Sequence, residues 1–348
     1  MIQGETKTEA QYRAIYLDSS SSLKDFSMDR KKYHKKYILN QVVEDEESKA
    51  ATTGRLVETL LMEPHLFDEK FHISTCISTP TGLMLDFVEA LYKHTVEATS
   101  EDGTVTRNFE DLVQDAYADS GFKIKLDAVL NKFIGSEAEI YYKEIREVRS
   151  KKLTVVTTKE IENAEKIVLE LKTNPITADI VNTVSDVDYT VYNQLQIEGY
   201  EVLGHQFKSM LDKVIVNHKR KTIQPYDLKC TWSVENFYEE YYLYRRAYIQ
   251  GYLYMCAVLY HFKDLVDNQG YKVLNMKFIV CDSTNYMNPL IYNMSDEADE
   301  AAEFGFEHKG REYPGVADLI KNLKWALDND KWNISRENHI NNGIVNLD

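Results

Sequence analysis

Ile223-Gln224-Pro225-Tyr226-Asp227-Leu228-Lys229 reads as a short strand that carries a carboxylate and a lysine two residues apart. Residues i and i+2 of a strand point to the same face, so Asp227 and Lys229 project together. A second acid, Asp212, lies fifteen positions upstream in the apolar run Met210-Leu211-Asp212-Lys213-Val214-Ile215-Val216. A neighbouring strand can bring it beside them. Two acids and a lysine on adjacent strands are what metal-assisted phosphodiester cleavage requires: the acids hold Mg²⁺, and the lysine faces the attacking water or the phosphate. The competing reading is a solvated strand face, because D-x-K recurs by chance. Against it stands the setting of Asp212, since a carboxylate in a half-buried strand needs a partner.

After Thr231-Trp232-Ser233 the pattern becomes helical from about Glu235 to His261. Tyr238, Tyr242, Tyr248, Tyr252, Met255 and Leu259 recur at helical spacing. Gln250 and Tyr254 are four apart and share one face of this helix.

D…D-x-K followed by a helix bearing Q-x-x-x-Y resembles the PD-(D/E)XK nuclease superfamily, and within it the RecB-like and RecE-like exonucleases of phages and bacteria. Three other segments are similar to that group. Ser20-Ser21-Ser22-Leu23-Lys24-Asp25-Phe26 resembles the serine-rich opening of its N-terminal helix. The segment Thr52 to Pro64 resembles its "G-x-x-x-H, apolar run, E-P" stretch. Phe278-Ile279-Val280-Cys281 and Asn288-Pro289-Leu290-Ile291-Tyr292 resemble its late core strands. The resemblance spans roughly 15–75 and 190–335. Leu211 stands where the superfamily's name implies proline, Asp227 where many members have glutamate, and Glu58 where histidine is frequent.

The resemblance implies Asp212, Asp227 and Lys229 as catalytic residues, with Asp212 and Asp227 holding Mg²⁺ (Mn²⁺ suits the same oxygen ligands). Glu58 is either a further catalytic metal ligand or a surface residue on an amphipathic helix. Gln250 and Tyr254 would touch the DNA strand or brace Lys229. Arg246 and the turn Lys219-Arg220-Lys221 are further DNA-binding candidates. The implied activity is a metal-dependent deoxyribonuclease, an exonuclease degrading one strand of linear double-stranded DNA from its 5′ end in phage-type recombination. Such relatives form closed rings and act with a single-strand annealing protein. Three rival readings stay open: an endonuclease or flap nuclease of the same core, a non-catalytic DNA-end-binding module, and a helical scaffold whose D-x-K is accidental.

The chain has 348 residues, 43% hydrophobic, with 24 tyrosines, enough to bury a sizeable core. No run of about eighteen apolar residues predicts a membrane span. The N-terminus lacks a basic-then-apolar signal region, so a cytoplasmic protein is expected, in the host if phage-encoded. Cys76, Cys230, Cys256 and Cys281 show no C-x-x-C pairing, which argues against a zinc ribbon and for reduced thiols. The G-x-x-x-x-G-K-[ST], G-x-S-x-G and H-E-x-x-H motifs are missing, which removes an ATP-driven motor and the commonest serine-hydrolase and zinc-protease readings.

A net charge of −15 opposes broad nucleic-acid affinity. The charge is uneven, however. Arg30 to Lys36, His218 to Lys221, and Arg146, Arg149, Lys151 and Lys152 are basic, whereas Glu44-Asp45-Glu46-Glu47 and Asp296 to Glu303 are acidic. A basic channel within an acidic exterior fits this pattern; solvated helix faces fit each cluster taken singly.

The expected fold is α/β (α+β), a mixed β-sheet core of restriction-endonuclease-like type flanked by helices. One nuclease domain would span 1–348, with N-terminal helices over 15–75, a helical insertion over 76–185 and the catalytic core over 190–335. Residues 20–64 read as two helices joined by an acidic loop. Phe71-His72-Ile73 reads as a short strand, and Thr158 as the cap of a following helix. Glu198-Gly199-Tyr200-Glu201 reads as a turn between strands. The order thereafter is β-β-β-α-β, closed by a helix from Val316 to about Asp328.

Overall fold

The computed structural model describes residues 7–41, 49–100, 102–284 and 287–345. The chain forms two compact units, Met1–Glu63 with Ala164–Asp348, and Pro64–Asn163.

The larger unit is built on a mixed sheet. Its strands are β1 (Tyr189–Val202), β2 (His205–Asn217), β3 (Thr222–Thr231), β4 (Lys277–Asp282) and β5 (Leu290–Asn293), in that spatial order. The first three are antiparallel, β3 and β4 are parallel, and β4 and β5 are antiparallel. The parallel step needs a crossover, and the helical segment between β3 and β4 supplies it. Strand β2 is buried almost continuously from Phe207 to Val216, as a central strand covered on both faces must be.

Four helices matter to the site: α1 (Ser20–Met28), α2 (Lys49–Met62), α3 (Ala247–His261) and α4 (Val316–Asn329). Ser19 caps α1 reciprocally with Ser22, satisfying two backbone N–H groups at its start. Helix α3 is buried without a break from Ala247 to Tyr254, the pattern of a helix enclosed on all sides. Leu23, Phe26, Phe207, Tyr248, Leu253 and Phe278 belong to the core it shares with the sheet and α1.

The smaller unit is mainly helical. Leu83–Glu97, Phe109–Asp119, Leu126–Phe133 and Glu137–Lys151 pack around Phe87, Leu91, Leu112, Val129 and Phe133. The expected strand Phe71–Ile73 is present and pairs in parallel with Thr154–Val156. That pairing brings the unit's entering and leaving segments together. Its bounds are Pro64–Asn163 instead of the 76–185 expected for an insertion: Phe71–Ile73 is legible as a strand, but its pairing with Thr154–Val156 is set only by the fold.

Three local expectations are corrected. Glu198 to Glu201 is not a turn: Gly199, at φ +70°, makes a bulge within β1, and the chain turns at Leu203-Gly204. The run from Glu235 to His261 is not one helix. A wide π turn, Tyr238–Tyr244, precedes a break at Arg246 (φ +56°), and only then does α3 begin. The cap before Glu160 is Thr157, whose hydroxyl accepts the Glu160 N–H at 3.2 Å while the Glu160 carboxylate accepts the Thr157 N–H at 2.8 Å. The acidic loop Glu44 to Glu47 lies outside the described residues.

Candidate active site

The site forms where β2 and β3 part. Their pairing runs from Asn217↔Thr222 to Lys213↔Tyr226 and stops there. Beyond that point β3 continues against β4, from Tyr226↔Lys277 to Thr231↔Asp282. Asp212 and Asp227 are the next facing pair, placed where the ladder has opened. Asp212 fills the gap itself: its Oδ2 accepts the Leu228 N–H at 2.7 Å. On its other side the β1 register passes from Asn193↔Lys213 to Leu195↔Leu211, leaving Gln194 out of the ladder at φ +52°. A non-glycine residue in left-handed backbone within a strand is strained, and such strain gathers at working sites.

Asp227 is 1% exposed and fully engaged. Its Oδ1 accepts from Gln250 Nε2 at 2.8 Å, and its Oδ2 pairs with the Lys229 ammonium. Gln250 Nε2 also donates to Tyr254 Oη at 2.9 Å, and Tyr254 donates to the Met210 carbonyl at 2.7 Å. This chain of contacts ties α3 to β2 and β3 and fixes the carboxylate from behind. The four-residue spacing of Gln250 and Tyr254 is what allows both to reach it. Glu58, on α2, accepts from the Gln194 amide. Lys24, on α1, approaches Gln250 Oε1 at 3.4 Å.

The electrostatics follow from crowding. The Asp212 carboxyl is held well above the usual carboxylate range, chiefly by burial and then by the charges of Glu58 and Asp227. Burial works to lower the Lys229 pKa. Asp227, Asp212 and Glu58 together outweigh it and hold the ammonium above its ordinary value. Lys24 is pushed down to about 8, first by burial and next by the charge of Lys229. Tyr254 is raised well above an ordinary phenol by burial beside the two aspartates.

Among the described residues, no three His, Cys, Asp or Glu side chains converge as a ready-formed metal cage. The Lys229 ammonium lies on Asp227, and the Gln194 amide lies on Glu58. The donor set nevertheless suits a hard divalent ion: Asp212, Asp227 and Glu58 are three carboxylates, and the charges of the latter two bear on Asp212; together they offer only oxygen.

Asp212, Asp227, Lys229, Gln250, Tyr254 and Glu58 are thus brought together. The other DNA-binding candidates are elsewhere. Lys219, Arg220 and Lys221 form the β2–β3 turn, six or seven residues from the nearer aspartate, about 20 Å along the strands. Lys221 donates there to the Gln269 carbonyl at 2.9 Å. Arg246 neighbours Tyr248, Arg311 and Tyr313 instead of the aspartates. In the smaller unit, Arg149 is forked onto Glu89 at 2.6 and 2.8 Å, and Lys151 is paired with Glu147. Two site residues escaped the sequence reading. Gln194 carried no signal beyond strand alternation. Lys24 sat in plain view inside the serine-rich segment, where a charge one residue after the buried Leu23 was the available clue.

No family model matches the chain, and no curated protein matches it in sequence. Among solved structures, a crystal structure from Eubacterium rectale of a protein provisionally named an exonuclease is similar at TM-score 0.48 and 14% identity, spanning 98% of this chain and 89% of that one. Similarity at that level carries no argument about chemistry. Among the described residues no helix is long and apolar enough to cross a membrane.

Proposed function

We propose that this chain is a metal-dependent deoxyribonuclease. The observation that carries the reading is the pair Asp212 and Asp227, facing each other where β2 and β3 part, with Lys229 and Gln250 fixed on Asp227. A solvated strand face does not bury both acids, nor hold Asp212 on a backbone N–H of β3 and Asp227 between Gln250 of α3 and Lys229 of β3.

Asp212, Asp227 and Glu58 would hold Mg²⁺ or Mn²⁺. When bound, such an ion supplies Lewis acidity toward water and phosphate oxygen. The chain's own residues do the rest. The Leu228 N–H holds one oxygen of Asp212, so its other oxygen is left for binding. Gln250, braced by Tyr254, fixes the rotamer of Asp227. Lys229 stays protonated throughout the neutral range, being held above its ordinary pKa, and can stabilise charge that builds on a phosphate oxygen or orient the attacking water.

The finer reading, an exonuclease degrading one strand of linear duplex from its 5′ end, is supported by the resemblance of the serine-rich helix opening, the Thr52–Pro64 segment and the Q-x-x-x-Y helix. On the same support, a closed ring of subunits would keep a chain without a motor on DNA, and a single-strand annealing protein would take its product.

The test is digestion of 5′-labelled linear duplex with Mg²⁺, beside a closed circular control and an Asp227→Ala variant. Loss of the linear form alone, abolished in the variant, is the expected result, and the released label reports polarity. Cutting of the circle would make the enzyme an endonuclease. No cutting of either form by the unaltered protein would refute the nuclease reading.

A further inference from the structure

Lys24 is the least accounted-for charge in the site. It is half-buried on α1, and its nearest polar contact is the neutral Gln250 Oε1 at 3.4 Å. The acids within reach are already committed. Asp25, its chain neighbour, takes Lys36 at 3.1 Å and the Tyr37 hydroxyl at 2.9 Å. Asp227 takes Lys229 and Gln250. Among the described residues Lys24 has no ion-pair partner, and the charge of its own sign that bears on it most is Lys229. Two ammonium groups crowded into a partly desolvated site are costly unless an anion joins them.

We propose that Lys24 is a second phosphate-binding cation, contacting an anionic oxygen of the DNA backbone beside the group that Lys229 faces. The inference rests on the nuclease reading and adds a residue to it. It explains why α1 presents a lysine here: Leu23 and Phe26 anchor the helix in the core, and the intervening turn delivers position 24 to Gln250. A purely structural role would need only a hydrogen-bond donor to Gln250 Oε1, which an amide supplies as well as an ammonium.

That difference defines the experiment. Binding of a duplex oligonucleotide is measured against salt concentration with Ca²⁺ in place of Mg²⁺, for the unaltered chain, Lys24→Gln, Lys24→Arg and Lys24→Met. Each phosphate contact contributes about 0.9 to the slope of log K against log salt on duplex DNA. Lys24→Gln and Lys24→Met should bind about tenfold more weakly at low salt and lose about one contact's worth of slope. Lys24→Arg should keep the slope. An unchanged slope in Lys24→Gln and Lys24→Met, with cleavage by the unaltered chain intact, would overturn the role of Lys24 and leave the nuclease standing. Absence of both binding and cleavage in the unaltered chain would remove both. Lys24→Gln deletes the charge and keeps a donor for Gln250 Oε1, so it should melt no lower than the unaltered protein; a marked fall in its melting temperature would also overturn the proposal, by showing that the ammonium itself has a structural partner.

Discussion

Asp212 Oδ2 accepts the backbone N–H of Leu228 at 2.7 Å, so a side chain of β2 takes a hydrogen-bond position that the parting of β2 and β3 has vacated. The contact does two things at once. It satisfies a buried amide that would otherwise lose its partner, and it turns a carboxylate toward Asp227. Structural satisfaction and the candidate chemistry thus depend on the same oxygen pair.

Asp227→Asn should fold and fail to cut. The asparagine carbonyl can still accept from Gln250, but the charge facing Lys229 is gone. Cleavage of linear duplex should fall by several orders of magnitude while the melting temperature shifts little, because the groups of such a centre act as a unit. Near-full cleavage by this variant would end the assignment.

Tyr254→Phe separates bracing from chemistry. It leaves the half-buried Met210 carbonyl without its 2.7 Å donor and frees Gln250 to turn. A stability loss of about 1–3 kcal/mol is expected, with a far smaller loss of rate than in Asp227→Asn. Chemical denaturation and initial rates measured on one preparation check both, and a rate loss equal to that of Asp227→Asn would place Tyr254 in the chemistry itself.

Gly251→Ala probes the packing of α3 on the sheet. A Cβ there would lie 2.5 Å from Met294 Sδ and 3.4 Å from the Phe278 ring, both buried. Overpacking of this kind costs about 1–3 kcal/mol and should displace the neighbouring Gln250. A variant with unaltered denaturation midpoint would show that the core yields more easily than its packing implies.

Lys213 gives the pH dependence. It is 2% exposed, and burial pushes its pKa down to about 8. A lysine whose folded pKa lies below its unfolded value costs stability while charged. The cost is therefore full below pH 8 and fades as pH rises from about 8 to about 10.5. Lys213→Met should be more stable by about 2 kcal/mol at neutral pH, with the advantage shrinking over that window. Parallel stability curves for the two proteins would refute the assignment.

Much of this was legible in one dimension. The alternation around Asp227 and Lys229 placed both on one face, since period-two geometry is local. The apolar run around Asp212 marked a buried acid, because hydrophobic neighbours report burial directly. Gln250 and Tyr254 were readable as a pair from helical spacing alone. By contrast, the break at Arg246 was hidden within an unbroken aromatic and apolar pattern, since one left-handed residue changes direction without changing hydrophobicity. The distance of the basic turn from the aspartates was hidden for a related reason: sequence proximity of lysines and arginines says nothing about which end of a strand they occupy.

The sequence by itself determined the chemical inventory and its local geometry: two acids, a lysine two residues from one of them, and an amide and a phenol one helical turn apart. Only the tertiary structure decided that β2 and β3 part beside Asp212, that Gln194 leaves the ladder opposite it, and that α1 and α2 bring Lys24 and Glu58 to the same place. Periodicity follows from backbone geometry between neighbours in the chain, whereas the meeting of residues 24, 58, 194, 212, 227 and 250 depends on which surfaces bury one another, and that is settled by the whole fold.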